Sequence, residues 1–257
     1  MSLTLPPSTD PALAWEVEKA SLQAWPPARE IKLDGWLLRF NEGFTDRVNS
    51  VQPLTEGEMP LGTKISWCLG AYRDARLPAQ FRITSLTEKK EEIERQLAVL
   101  GLKSHSPTRV MVLDSLPKPQ PAPADWRIET EDPTEWLDSF RRMNGTSQHH
   151  FPAQEALLRK MPTPHGFGSL AQAGSTVACG QVVVTGNLAG LFDIVTEETL
   201  RRQGLGQRVV EALLQWAAGQ GAARAYLQVE ASNDPATKLY EKLGFRHLYD
   251  YHYWRAQ

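Results

Sequence analysis

Residues 191–219 read LFDIVTEETLRRQGLGQRVVEALLQWAAG, and the order of residue types in this stretch decides the fold. A β-rich run ends at Thr196, a loop follows, and a helix begins inside RRQGLG. Leu205, Val209, Leu213 and Ala217 recur every four positions and predict one buried stripe, while Gln207, Arg208, Glu211 and Gln215 fall largely elsewhere. Gly204 and Gly206 sit at the helix start, where the lack of a side chain lets a ligand approach the backbone. First-turn N–H groups of a helix have no intrahelical partner, and with the positive dipole end they form an anion site. Arg201, Arg202 and Arg208 would add cationic donors, so the natural ligand is a phosphate or pyrophosphate. The plain alternative is a glycine-containing turn with solvated arginines. No Gly-Lys-Ser/Thr follows, and no earlier glycine precedes, so neither the P-loop nor the dinucleotide fingerprint applies.

A second stretch, residues 227–245, reads LQVEASNDPATKLYEKLGF. Asn233 ends a strand and Asp234-Pro235 starts a helix. Asn233 and Tyr240 are seven residues apart, about two helical turns, and share one side of the helix entrance. Asn233 offers an amide donor and acceptor, and Tyr240 a phenolic proton. The structural alternative makes Asn233 a helix cap and Tyr240 a core residue beside Leu239 and Leu243.

Working outward, Ser115 to Asp125 (SLPKPQPAPAD) holds four prolines and reads as a stiff linker. It divides the 257 residues into 1–114 and 126–257, each of domain size. The first part predicts a helix from Asp10 to Ala24, strands at GWLLRF, DRVNSVQPL, QFRIT and TRVMVL, a helix at ISWCLGAYRDA, and a helix at EKKEEIERQLAVL capped by Thr87 and closed by Gly101. The second part predicts strand WRIET, helices at 133–143 and 152–161, three β-rich runs, the helix at 204–218, strand ARAYLQVEA, a helix at 235–243, and two aromatic strands, FRHLYD and YHYWR. This is a mixed α/β sheet. QLAVLGLKS in the first part is similar to LYEKLGFRH in the second, which raises an internal duplication.

The net charge of −2 gives no reason to expect a nucleic acid or an anionic membrane as partner. Two cysteines, Cys68 and Cys179, exclude a disulfide scaffold and a cysteine-rich zinc module, and no metal is expected. No apolar run approaches the ~20 residues of a membrane span, and the start, MSLTLPPSTDPALAWEVEKA, lacks the basic and apolar regions of a secretory signal. The expectation is a soluble, cytoplasmic protein.

Taken together, the two stretches resemble the GCN5-related N-acetyltransferase family, over residues 126–257 and most closely over 190–245. The resemblance implies a catalytic acetyltransferase domain at the C-terminus. DGWLLRF, TDRVNSVQPL and LPAQFRIT in turn resemble the N-terminal halves of two-domain bacterial members, which look like smaller, degenerate α/β copies of the same fold. Since nothing between Val51 and Tyr72 matches R-x-x-G-x-G, this copy is expected to lack a cofactor loop. The resemblance also implies acetyl-CoA as co-substrate, with Ile194, Val195 and Thr196 pairing with the pantetheine arm. The loop Arg201, Arg202, Gln203, Gly204, Leu205, Gly206 and Gln207 would cradle the pyrophosphate, with Asn233 near the cofactor. Tyr240 becomes the general acid for the departing thiolate, and a backbone amide near Val195 the oxyanion donor. The ribosomal-protein alanine acetyltransferase branch carries a glutamate base where this chain has Gln228, and a glutamine cannot accept a proton. Glu230, Asp193, His149 and His150 are the remaining candidate bases, and Glu230 and Asp193 are preferred. The implied reaction is direct transfer to a primary amine in a ternary complex, the acceptor being a small molecule or a protein or peptide amine. The alternative is a non-catalytic acyl-CoA-binding or regulatory protein. The first part is expected either to be structural or to wall the substrate cleft through Trp36, Arg39, Arg47, Asn49 or Arg82. Oligomeric state stays open.

Overall fold

Asp10 starts the first helix, α1 (Pro11–Ala24): its Oδ1 accepts from Ala12 N at 2.9 Å and Leu13 N at 3.4 Å, and Pro11 fills the first turn. The computed structural model describes residues 6, 9–121 and 123–256. Residues 1–5 and 7–8 of the stretch read for a signal, Ala122 of the proline-rich segment, and Gln257 lie outside the described residues.

After α1 come β1 (Arg29–Leu33), β2 (Trp36–Phe40), a 3-10 turn (Asp46–Val48), β3 (Val51–Pro53), α2 (Leu61–Asp74), β4 (Gln80–Thr84), α3 (Lys90–Val99) and β5 (Lys103–Leu113). Then follow β6 (Trp126–Glu129), α4 (Thr134–Asn144), α5 (Phe151–Leu158), β7 (His165–Gln172), β8 (Ser175–Thr185), β9 (Leu188–Thr196), α6 (Leu205–Gly219), β10 (Arg224–Glu230), α7 (Asp234–Lys242) and β11 (Arg246–Arg255). Four local expectations change. The run DRVNSVQPL is mostly turn, because Asn49 and Ser50 spend their side chains on loop carbonyls. Thr87 does not cap α3; its hydroxyl accepts from Thr84 N, 3.1 Å, and Lys89 stands at the cap. The two aromatic strands are one, β11, with register shifts where it pairs with β5. The edge strand β1 has no counterpart in the sequence reading.

All eleven strands form one mixed sheet in the order β1-β2-β3-β4-β11-β5-β10-β9-β8-β7-β6. Both chain segments repeat one pairing pattern. β1, β2 and β3 are antiparallel and β3 meets β4 in parallel; β7, β8 and β9 are antiparallel and β9 meets β10 in parallel. The last strand of each repeat is exchanged: β5 pairs with β10, β11 pairs with β4, and the two pair with each other. The duplicated helix ends also match, since Gly101 and Gly244 both leave their helices with positive φ, 83° and 89°.

One face of the β7–β10 region is covered by α6 and α7, whose apolar stripe of Leu205, Val209, Leu213 and Ala217 is buried as predicted. The other face is covered by α1, α4 and α5. Helix α1, from the first segment, therefore packs on β8 and β9 of the second. Among the described residues no helix is long and apolar enough to cross a membrane.

Candidate active site

The parallel pair β9–β10 is hydrogen-bonded only from Leu188/Arg224 to Leu191/Leu227. Beyond it β9 continues to Thr196 beside β8, while β10 continues to Glu230 beside β5. The two strands part, leaving a wedge bounded by the free inner edge of β10 and by that of β9. A β-bulge shapes the β9 edge: Asp193 and Ile194 together oppose Gly180, and Asp193 takes φ 51°. Ile194 turns to the α6 side, while Phe192 and Val195 face the α1 side, where Asp193 joins them at a cavity. The Glu197 N–H donates to the Val177 carbonyl, 2.8 Å. By strand alternation the Val195 N–H also points to β8, so the amides turned into the wedge are those of Ile194 and Thr196, not Val195.

The α6 lip closes one end of the wedge. Arg201 is extended, Arg202 and Gly204 are left-handed (φ 61° and 82°), and no side chain caps the helix. Arg201, Arg202, Gln203 and Gly204 are exposed, while Leu205 is buried and anchors the turn. A Cβ on Gly206 would lie 3.5 Å from Thr196 Oγ1 and 3.6 Å from Leu239, so strand end, α6 and α7 converge there. Two side chains expected in the anion site are engaged elsewhere. Arg208 grips Asp125 at 2.7 Å to both carboxylate oxygens. Gln207 donates to Glu211 at 2.7 Å and accepts from Lys242 at 3.0 Å. Among the described residues the lip's donors are therefore its backbone amides, Arg202, and Arg201, which approaches only the exposed Glu198 at 3.9 Å.

Asn233 caps α7, its Oδ1 accepting from Ala236 N at 3.2 Å. Tyr240 packs edge-on to Phe245, 6.0 Å between ring centroids, within the α6–α7 cluster. Burial pushes its phenol up to about 12, so it stays protonated at neutral pH. Its hydroxyl has no protein partner among the described residues. Tyr240 and Asp193 thus lie on opposite faces of the sheet.

Asp193 lines a cavity of about 290 Å3 with Trp25, Phe44, Arg47, Phe140 and His150. Burial among these side chains raises its carboxyl to about 6, against a lowering pull from Arg47. Gln181, fully buried, donates Nε2–H to Asp193 Oδ2 at 2.9 Å and fixes the carboxylate. Glu230 is exposed and lines a different cavity with Thr45, Arg47, Gln228, Tyr251 and Tyr253. His150 shares the Asp193 cavity, and His149 is exposed outside it. Gln228 accepts from Arg47 Nε and from Tyr251 Oη, both at 3.1 Å. Burial also pushes the Cys179 thiol far up, which keeps it from acting as a nucleophile.

The first segment reaches this site through few side chains. Of its five candidates, Arg47 alone borders the wedge. Arg39 is fully buried and holds the chain around it, donating to the carbonyls of Arg47 at 3.2 Å, Leu22 at 2.9 Å and Trp25. Asn49 fastens the loop before Arg47, accepting from Asn41 N at 2.7 Å and donating to the Phe44 and Thr45 carbonyls at 2.7 and 2.9 Å. Arg82 is committed to Glu18, and Trp36 lies by Lys64 on the far side. Sequence reasoning missed Trp25, Phe44 and Gln181, for which no local motif exists. In the first repeat the turn before α2, which matches the α6 lip, has two of its amides taken: Asp34 accepts from Glu58 N at 2.9 Å and Met59 N at 2.7 Å and pairs with Lys64 at 2.9 Å. These bonds hold Asp34 near pKa 2. Among the described residues, no group of three or more His, Cys, Asp or Glu is arranged to hold a metal ion.

Residues 14–254 match the family model described as the probable histone acetyltransferase Rv0428c C-terminal region. The chain is 28% identical over 248 residues to the uncharacterized N-acetyltransferase YobR of Bacillus subtilis, covering 93% of this chain and 96% of that one. It is 40% identical over 76 residues to the ribosomal protein bS18-alanine N-acetyltransferase of Escherichia coli, 30% of this chain and 51% of that protein. The structure of a GCN5-related N-acetyltransferase from Kribbella flavida superposes with a TM-score of 0.68 at 16% identity, over 97% of this chain and 96% of that one.

Proposed function

The chain belongs to the Rv0428c C-terminal family of acetyltransferases, within the GCN5-related N-acetyltransferases, and from that membership we propose that it transfers the acetyl group of acetyl-CoA to a primary amine by direct attack in a ternary complex. One observation carries the reading: β9 and β10 part beside an uncapped helix, with Asp193 on one face of the sheet and Tyr240 on the other.

The residues present fit acetyl-CoA. The open β9 edge supplies amides for an extended pantetheine arm, and the left-handed turn at Arg202–Gly204 leaves the α6 amides and Arg202 open to a pyrophosphate, which would draw Arg201 from its exposed partner Glu198. Acetyl-CoA supplies an acetyl group already activated as a thioester. Asp193 takes a proton from the acceptor's ammonium, and the neutral amine so formed attacks the thioester carbonyl. One amide of this edge, that of Ile194, offers a hydrogen bond to the carbonyl oxygen as it gains charge, while that of Thr196 serves the pantetheine arm. Tyr240 donates its phenolic proton to the leaving sulfur. Asp193 is favoured over Glu230 because its desolvated carboxyl has a proton affinity near the working pH. The unreactive thiol of Cys179 argues against an acyl-enzyme.

The loop is tested by calorimetric titration with acetyl-CoA. The Arg201→Ala/Gly204→Val double variant is expected to bind at least about tenfold more weakly, through a lost charge contact and a Cβ at φ 82°. Equal affinity in variant and wild type would remove the α6 lip from the cofactor site.

A further inference from the structure

Arg47 is a half-buried cation with no carboxylate within ion-pair distance among the described residues. Its guanidinium lies 4.7 Å from the Trp25 ring centroid and 5.3 Å from that of Phe192. Its Nε donates to Gln228 Oε1 at 3.1 Å, a neutral acceptor. Its two Nη groups have no acceptor among the described residues. The adjacent Asp46 approaches Arg255 instead, at 3.9 Å. The fully buried arginines differ: Arg39 has Glu30 at 3.1 Å and Arg82 has Glu18. A desolvated guanidinium with a free fork is a receptor for a planar anion.

Arg47 and Asp193 line the same 290 Å3 cavity, whose walls include Trp25, Phe44 and Phe140. That volume suits a molecule of amino-acid size. We propose that the acceptor is an amine that also carries a carboxylate, an amino acid or a short peptide end, with its amine toward Asp193 and its carboxylate on the Nη fork of Arg47. This rests on the acetyl-transfer reading above. A carboxylate fits better than a phosphate, because Asp193, Asp46 and Glu230 all face the space around Arg47 and oppose a dianion. The aromatic walls take an apolar side chain. The first repeat thereby sets acceptor choice without contributing to the chemistry.

Three matched pairs test this: phenylalanine against phenethylamine, leucine against isoamylamine, lysine against cadaverine. With wild-type protein and acetyl-CoA, kcat/KM is expected to favour the carboxylate-bearing member by about 10–100-fold, the range of a charged hydrogen-bonded pair. In Arg47→Met the preference falls toward one, and Arg47→Lys restores it in part. Binding of N-acetylphenylalanine against N-acetylphenethylamine, by calorimetry with CoA present, reads the same site without turnover. Preferential binding of the carboxylate with no turnover of any amine would support the anion site and count against acetyl transfer. Turnover or binding without preference for the carboxylate in wild type would overturn the inference and leave acetyl transfer standing. The wild-type ratios decide even where a variant fails to fold.

Discussion

Replacing Asp193 by asparagine is expected to lower kcat/KM about 10²–10⁴-fold, the usual worth of a positioned general base. The substitution keeps shape and keeps an acceptor for Gln181, whose Nε2–H now serves Asp193 Oδ2. The loss therefore reports the proton acceptor rather than a collapsed strand. The pH dependence separates the two further. Asp193 works only as the carboxylate, and burial raises its carboxyl from 3.8 to about 6. Wild-type kcat/KM should fall as pH drops through about 6. Taking the ratio of wild type to variant at each pH cancels the amine's own titration, and that ratio should carry the limb. Tyr240, pushed up to about 12, should add no limb below about pH 11. A ratio flat from pH 5 to 8 would assign the proton elsewhere.

Stability supplies the complementary sign. The folded protein binds the Asp193 proton more tightly than the unfolded chain, so this group favours folding at low pH and opposes it above about 6. Asp193→Asn should therefore be more stable than wild type at pH 8, by roughly 1–3 kcal/mol. That gain should shrink through pH 6 and vanish near pH 4. A rate loss with a stability gain is the signature of a residue kept for chemistry.

Arg82→Met is expected to cost about 3–5 kcal/mol of folding free energy, the usual result of leaving a buried charge without its partner. Arg82 on β4 and Glu18 on α1 are both buried, at 2% and 1% exposure, and are joined at 3.1 Å through Nη2 and Oε2 and again through Nη1 and Oε1. Tyr249 on β11 donates to Glu18 at 2.5 Å, and Arg82 lies 3.8 Å from the Tyr251 ring centroid. One ion pair thus ties α1, β4 and the exchanged strand β11. Against a total of about 5–15 kcal/mol, that loss brings the variant close to unfolding. The Arg82→Met/Glu18→Leu double variant should recover part of it, because no uncompensated charge remains. Urea denaturation checks both, and a single-variant loss under about 1 kcal/mol would show that water compensates the pair.

What was legible in the sequence was what is local. The α6 stripe, its glycine start, the Asp10 cap and the two Leu-Gly helix ends each depend on residues within a few positions. The exchange of β5 and β11 leaves no such trace, because strand pairing between distant segments has no sequence period. Arg208 shows the same limit from the other side. It reads as a free cation in its own helix turn, yet its partner Asp125 is 83 residues away. Arg47 reaches Gln228 across 181 residues, and only the fold brings it beside the wedge. Asp193 lay in between. Its strand is local and strand alternation sets it on the face away from Ile194, but its cavity is walled by Trp25 and by Phe140 of α4, which no strand pattern announces.

The most direct test is CoA thiol release from acetyl-CoA, measured for wild-type protein against a panel of amines, amino acids and N-terminal peptides. The account predicts amine-dependent release that tracks formation of the N-acetyl product one for one, and that disappears in Arg201→Ala/Gly204→Val. Tight acetyl-CoA binding with no release above the amine-free rate on any acceptor would contradict it and assign the wedge to binding alone.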